Sequence, residues 1–376
     1  MMGFELKAIT IVFGIPIAAV LGGPSIGGAA DEFDTLARAA HQAREAHRLS
    51  DAAELYDQAL ALDGSWIEGW WHLGTINYEQ DRYAQASEAF WRLVALRESH
   101  GAAWIFLGLC EFQTGELREA TQHLLKGRSI GVAGIEQIAL VADFHLALLH
   151  TKSGQFELAM KWLRKLGSRQ IDNPELERAM GMAALRLALL PKELPDEKQG
   201  IAADVGRAVL LDAQGRRDEA RLEWTRLIEK HSSVPNAHYA FGEFLVSKEP
   251  DAALEEFRRE LEVSPDHVPA RVQIALEYLQ RGKASEGLSF AEEAVKMAPD
   301  LFVAHYALGS LLLQLGQVER AVRELEEAVR LAPGSADSRH VLAQAYVKAG
   351  RKEEAARERA EFQRLEELRR QQEMME

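Results

Sequence analysis

Apolar and polar positions along this chain fall into a recurring phrase. Three versions of it, RRELEVSPD, AEEAVKMAPD and LEEAVRLAPG, end on Pro265, Pro299 and Pro333, so the phrase returns every 34 residues. The same interval separates Trp70 from Trp104, Leu73 from Leu107 and Gly74 from Gly108. Short polar turns such as TGEL, SGQF, QGRR, LGQV and AGRK carry a glycine where one helix must stop. Proline then ends the following helix, because it lacks an amide donor and restrains the residue before it. The pattern predicts helix pairs repeated along the chain. Each pair exposes an apolar edge that only its neighbour can cover, so stability is nearly a sum of nearest-neighbour terms.

The recurring residues resemble the tetratricopeptide repeat, in which a large residue and a Leu-Gly pair precede Tyr, then Ala, an aromatic, Ala and Pro. Trp70, Leu73, Gly74, Ala86 and Phe90 fit one unit, and Trp104, Leu107, Gly108 and Ala120 the next. Leu308, Gly309, Ala321, Ala328 and Pro333 fit another, and Ala275, Tyr278, Ala294 and Pro299 the one before it. The resemblance covers most of residues 33 to 370 in about nine units, some of them degenerate. It implies an all-α fold: a right-handed α-solenoid of antiparallel helix pairs, closed by a capping carboxy-terminal helix.

The pattern breaks between 174 and 200, where Pro191 and Pro195 fall in the place of a second helix. An irregular stretch over 191–200 therefore divides an amino-terminal block, 31–190, from a carboxy-terminal block, 201–376. The segment 127–139 is a second irregularity, with extra residues between units. The last stretch, RKEEAARERAEFQRLEELRRQQEMME, keeps Phe362, Leu365 and Leu368 at helical spacing among alternating charges, which suits a solenoid end with a polar outer face.

Composition removes several functions. With 44 basic and 58 acidic side chains the formal net charge is −14, which disfavours nucleic acid, whose phosphates demand clustered Lys and Arg. A single cysteine, Cys110, excludes an intramolecular disulfide framework and any multi-cysteine metal site. Twelve histidines form no HExxH, and His41 and His47 fall on different helical faces, so no metal site is expected. Phosphate-binding and nucleophile-elbow motifs are missing as well, and neither a cofactor nor an enzymatic site is expected.

The amino terminus holds an uncharged run of 14 residues, Ala8 to Leu21, behind Lys7 and ahead of small residues at Gly28 and Ala30. A bilayer span takes about 20 apolar residues, so this run suits a secretory signal over 1–30. The expectation is an exported protein, periplasmic or secreted, with no stable membrane span once the signal is removed. Its alternative is a cytoplasmic protein, or one anchored by an uncleaved segment.

In tetratricopeptide proteins the first helix of each pair lines a concave groove, and the resemblance implies that ligands lie there. Carried over unit by unit, that face holds Trp71, His72 and Tyr78, then Phe106 and Phe112, then Phe144 and His145, and farther on Tyr239, Tyr306 and His340. Aromatic anchors of this kind suit a peptide. The Lys and Asn clamp by which some relatives hold a carboxylate-ended tail is absent, since the corresponding positions are Ala37, His41, Trp71, Thr75, Ile105 and Leu109. The expected function is a non-enzymatic scaffold for a protein or peptide, monomeric or weakly oligomeric. The alternatives are a structural, self-assembling protein of the cell envelope or an enzyme with its site in the divergent segment 127–200.

Overall fold

The computed structural model describes residues 28–375 apart from 133, 135 and 172. The run from Ala8 to Leu21, and the export expectation with it, lies outside the described residues. Those residues form nineteen α-helices and no strand. The chain is an all-α helical-repeat solenoid, as the sequence pattern predicts.

Two compact units divide it, one reaching to Glu223 and the other beginning at Trp224. The first holds α1 (Gly28–Glu45), α2 (Leu49–Leu62), α3 (Ile67–Glu79), α4 (Tyr83–Leu96), α5 (Gly101–Thr114), α6 (Leu117–Ile130), α7 (Glu136–Lys152), α8 (Phe156–Gly167), α9 (Pro174–Ala184) and α10 (Asp196–Ala213). The division falls inside α11 (Arg217–His231). The second unit continues with α12 (Ala237–Leu245), α13 (Pro250–Val263), α14 (Val268–Gln280), α15 (Ala284–Met297), α16 (Phe302–Gln314), α17 (Val318–Leu331), α18 (Ala336–Lys348) and α19 (Lys352–Met375). Among the described residues no helix is long and apolar enough to cross a membrane.

Within several pairs a small residue on the first helix receives a large one from the second. A Cβ added to Gly74 would stand 2.8 Å from the Phe90 ring, one at Gly108 2.8 Å from Leu124, and one at Gly309 2.6 Å from Leu325. The helices close on each other because glycine lets a ring or a leucine occupy the space of a side chain. Each second helix also turns outward to the next pair: α2 packs on α3, α4 on α5, α15 on α16 and α17 on α18. First helices of successive pairs touch too, α5 with α7, α7 with α9, α14 with α16 and α16 with α18. One apolar cluster consequently runs from Ala86 on α4 to Leu149 on α7, and another from Ala275 on α14 to Ala355 on α19.

The turns follow the predicted chemistry. Gly115, Gly154, Gly215, Gly316 and Gly350 all end helices in the left-handed region, with φ from +75° to +91°. His47 (φ 54°) and Asp81 (φ 59°) take the same conformation in the first two pairs without the benefit of glycine. Pro265, Pro299 and Pro333 stand just beyond the ends of α13, α15 and α17.

A second device recurs that the sequence does not announce. Trp70 Nε1 donates to the Gly64 carbonyl at 2.9 Å, and Trp104 Nε1 to that of Glu98 at 2.8 Å. His238 Nε2 reaches Ser232 O at 3.0 Å, His305 Nε2 reaches Pro299 O at 2.9 Å, and Arg339 Nε reaches Pro333 O at 3.0 Å. On α3, α5, α12, α16 and α18 a large residue near the helix start is therefore a donor that ties the helix to a main-chain carbonyl six residues back. In the second unit the same side chains also bridge to the second helix of their pair: His238 to Glu256 (2.6 Å), His305 to Glu324 (2.8 Å) and Arg339 to Glu358 (2.6 Å).

The break around Pro191 and Pro195 contains a single 3₁₀ turn, Pro191–Glu193, and α10 then begins at Asp196. Helix α10 returns against α9 with the two backbones almost touching. A Cβ on Gly181 would stand 1.7 Å from Ala202 O, and one on Gly206 1.6 Å from Glu177 O. At the far end α19 is 24 residues long against 13 for its partner α18, so it runs on as the capping helix.

Candidate functional site

Three of the side chains picked out on the first helices of the amino-terminal unit, Trp71, Tyr78 and Phe106, form one connected aromatic cluster. Trp71, on α3, is half-buried and lies 5.5 Å from the ring of Phe106 on α5, at 85°. Tyr78, about two turns farther along α3, meets the same Phe106 at 5.3 Å and Tyr83 at 5.3 Å. Phe106 itself is buried and stacks on Phe90 at 5.2 Å and 22°. It is the hub that holds two more accessible rings in place. His100, whose Nδ1 caps α5 by accepting from the Ala103 amide at 3.1 Å, closes the cluster 5.1 Å from Trp71.

The next pair continues the row. Phe112 is half-buried and sits edge-on to His145 at 4.8 Å, while Phe144 is buried 5.8 Å from the same imidazole. His145 donates from Nδ1 to Val141 O at 2.8 Å, and burial pushes its pKa down to about 4. His72 is also buried. Desolvation, with Arg44 and His41 nearby, lowers its pKa to about 3. The sequence therefore names two kinds of residue under one heading. Phe106, Phe144, His72 and His145 pack between helices, whereas Trp71, Tyr78 and Phe112 keep part of a ring accessible.

In the carboxy-terminal unit the picked residues do not gather. Tyr239 is buried against Phe257 (5.8 Å) and His267 (4.8 Å), and its amide donates to Glu260 at 3.2 Å. Tyr306 is half-buried on α16, where desolvation raises its pKa. His340 is exposed on α18, 2.7 Å from Gln344 Nε2 and 5.1 Å from the Phe362 ring.

Two groups with reactive potential are spent on packing. Burial pushes the Cys110 thiol well above its usual range, so its nucleophilic thiolate is suppressed. Asp143, in the divergent segment, is paired with Arg128 across α6 and α7, the second contact of that fork being 3.2 Å. The structure does gather one set of donors that sequence spacing hides: His41 on α1 with Glu68 and His72 on α3. Glu68 and His72 stand four residues apart on one helical face, which is a readable signal, but His41 joins them only through the packing of α1 near α3.

A fold of stacked helix pairs with aromatic first-helix faces defines a helical-repeat protein of the interaction type. Tetratricopeptide-repeat family models match residues 72–129 and 205–267, and a further one matches 312–358. The chain is built with tetratricopeptide repeats. Among solved structures, MamA of Desulfovibrio magneticus RS-1 is 21% identical, with 46% of this chain and 97% of that one covered and a TM-score of 0.41. MamA from AMB-1 is 22% identical over 44% of this chain and 98% of its own, with a TM-score of 0.39. The P58(IPK) TPR domain is 16% identical over 85% of this chain and 99% of its own, with a TM-score of 0.31. No curated protein matches the chain.

Proposed function

We propose that this protein is a non-enzymatic scaffold that holds a protein or peptide along the first helices of its amino-terminal unit. The observation that carries this reading is the row Trp71, Tyr78 and Phe112, half-buried rings on α3 and α5, the first two held by the buried ring of Phe106 and the third set edge-on to His145. Anchors of this kind lose little side-chain entropy on binding, because packing has already fixed them. Trp71 and Tyr78 of α3 both meet Phe106 of α5, so the rings of two successive first helices support a shared surface there. Burial keeps the imidazoles of His72 and His145 uncharged at neutral pH.

The test is capture from an extract of the source cell with wild-type chain, a Trp71→Ala, Phe112→Ala double variant, and a Trp91→Ala variant. Trp91 is 52% exposed on α4, a second helix, and serves as the outer-face control. A specific polypeptide retained by wild type and Trp91→Ala but lost by the double variant supports the reading; equal retention by all three overturns it. Export is proposed with it, on the run from Ala8 to Leu21, and sequencing the amino terminus of the native protein decides that part. A mature chain starting at Asp31 supports it, and one starting at Met1 in the cytoplasm refutes it.

A further inference from the structure

We propose that His41, Glu68 and His72 bind a first-row divalent cation, with Zn2+ the best match, and so cross-link α1 to α3. One ligand atom from each residue lies within 4.8 Å of the other two. His72 Nε2 and Glu68 Oε1 are already 3.4 Å apart, close to the roughly 3.3 Å that separates two ligands sharing a tetrahedral zinc at about 2.1 Å from each. Side-chain torsions alone bring the third in, because the donors project from two helices fixed by the apolar cluster beneath them.

The surroundings are those of a held ligand. His41 Nδ1 is 3.0 Å from the hydroxyl of Tyr56, a fully buried residue of α2, and its ring meets the Tyr56 ring at 90° and the His72 ring at 86°. That contact fixes the ring and leaves Nε2 for a metal, as partners of metal-bound histidines do. His72 is 8% exposed and its Nδ1 meets no partner, so the imidazole is held inside with only one long contact to a carboxylate. A buried polar ring so poorly matched is an exception to the rule that such groups are satisfied. Glu68, with 37% of its side chain exposed, gives the site an opening to solvent and a place for a water ligand.

Two imidazoles and one carboxylate suit Zn2+, Co2+ or Ni2+ far better than Ca2+ or Mg2+, which take oxygen donors. Glu68 neutralises half of the ion's charge, and Arg44 lies near enough to act on both Tyr56 and His72. The role is structural: the ion pins the first two helix pairs together immediately beside Trp71. The site is independent of what the aromatic face binds.

The full chain, without a histidine tag and stripped by chelator, is titrated with Zn2+ by calorimetry and with Co2+ by visible absorbance. The expected result is one ion per chain, cobalt bands of four-coordinate strength, and a melting temperature raised by Zn2+. His41→Gln and Glu68→Gln are expected to weaken binding at least roughly tenfold while keeping the helicity and melting temperature of the ion-free wild type. Glu68→Gln matters most, since at a partly exposed position it keeps the fold. No binding by folded wild type at millimolar ion overturns the site, and so does equal affinity in wild type and Glu68→Gln.

Discussion

Replacing Gly181 by alanine tests how the chain repairs the break in its repeat. The new methyl would stand 1.7 Å from the carbonyl oxygen of Ala202, whereas Cβ contacts below 3.0 Å are essentially never seen, so α9 and α10 must part by more than 1 Å. Beneath that crossing lie the buried Met182, Leu194 and Ala202. Forcing an extra methyl into a packed site costs about 1–3 kcal/mol, and the upper end applies because the obstacle is backbone on a second helix rather than a flexible side chain. Alanine regains about 1 kcal/mol of helix propensity, leaving a net loss of about 2 kcal/mol. Gly206→Ala meets Glu177 O at 1.6 Å and should lose as much, while the two together should lose less than their sum because they open the same crossing. Gly200, also in α10, has nothing within 4 Å of its absent Cβ, so Gly200→Ala should gain about 0.5–1 kcal/mol. Urea titration by circular dichroism gives the sign and size, and hydrogen exchange places the loss in α9 and α10. Gly181→Ala as stable as Gly200→Ala would refute the backbone-contact argument.

Phe106→Ala should cost about 3–5 kcal/mol, because it removes a buried ring stacked on Phe90, and urea denaturation with a loss below about 1 kcal/mol would contradict its role as hub. His47→Gly should stabilise by about 1 kcal/mol, since glycine relieves a left-handed turn at φ 54°, and its melting temperature should rise. His145 titrates at about 4 when folded and at about 6.5 when unfolded, so between those values the unfolded chain holds more protons. Its contribution is complete above 6.5 and declines on acidification, by about 3 kcal/mol at pH 4, with His72 acting in the same direction. Stability measured from pH 7.5 to 5 should fall less steeply in His145→Gln, and an unchanged slope would show that another group governs it.

The helix pairs were legible because glycine, alanine and proline act locally: Gly115 ends α5, and Pro333 stands just beyond α17, whatever surrounds them. Pro191 and Pro195 act locally as well: a single 3₁₀ turn stands at Pro191–Glu193 and α10 begins directly after Pro195. The split between lining and packing residues was not. Helix α5 is buried almost continuously from Gly101 to Glu111, because it is enclosed by its own partner and by the pairs on either side. A helix so enclosed has no polar face to mark the open side, and Phe106 and Phe112 look alike in the sequence although one is buried and the other half-accessible. Hydrogen bonds to main-chain carbonyls were equally hidden, since Trp70, His238 and Arg339 share a donor at one distance but no side-chain type.

That shared donor makes the fastenings of successive pairs unequal in how they answer to proton concentration. Trp70, Trp104 and Arg339 keep their hydrogens throughout the neutral range. His238 does not: burial works against its charge, yet Glu256, the Ser232 carbonyl and Glu260 together raise its pKa above the ordinary histidine value. Its bridge to Glu256 is therefore whole below pH 6.5 and is surrendered as the medium turns alkaline through the raised value. A set of otherwise equivalent rungs thus carries one at α12 that slackens in base, a local weakness set by an imidazole where Trp70, Trp104 and Arg339 supply indole or guanidinium.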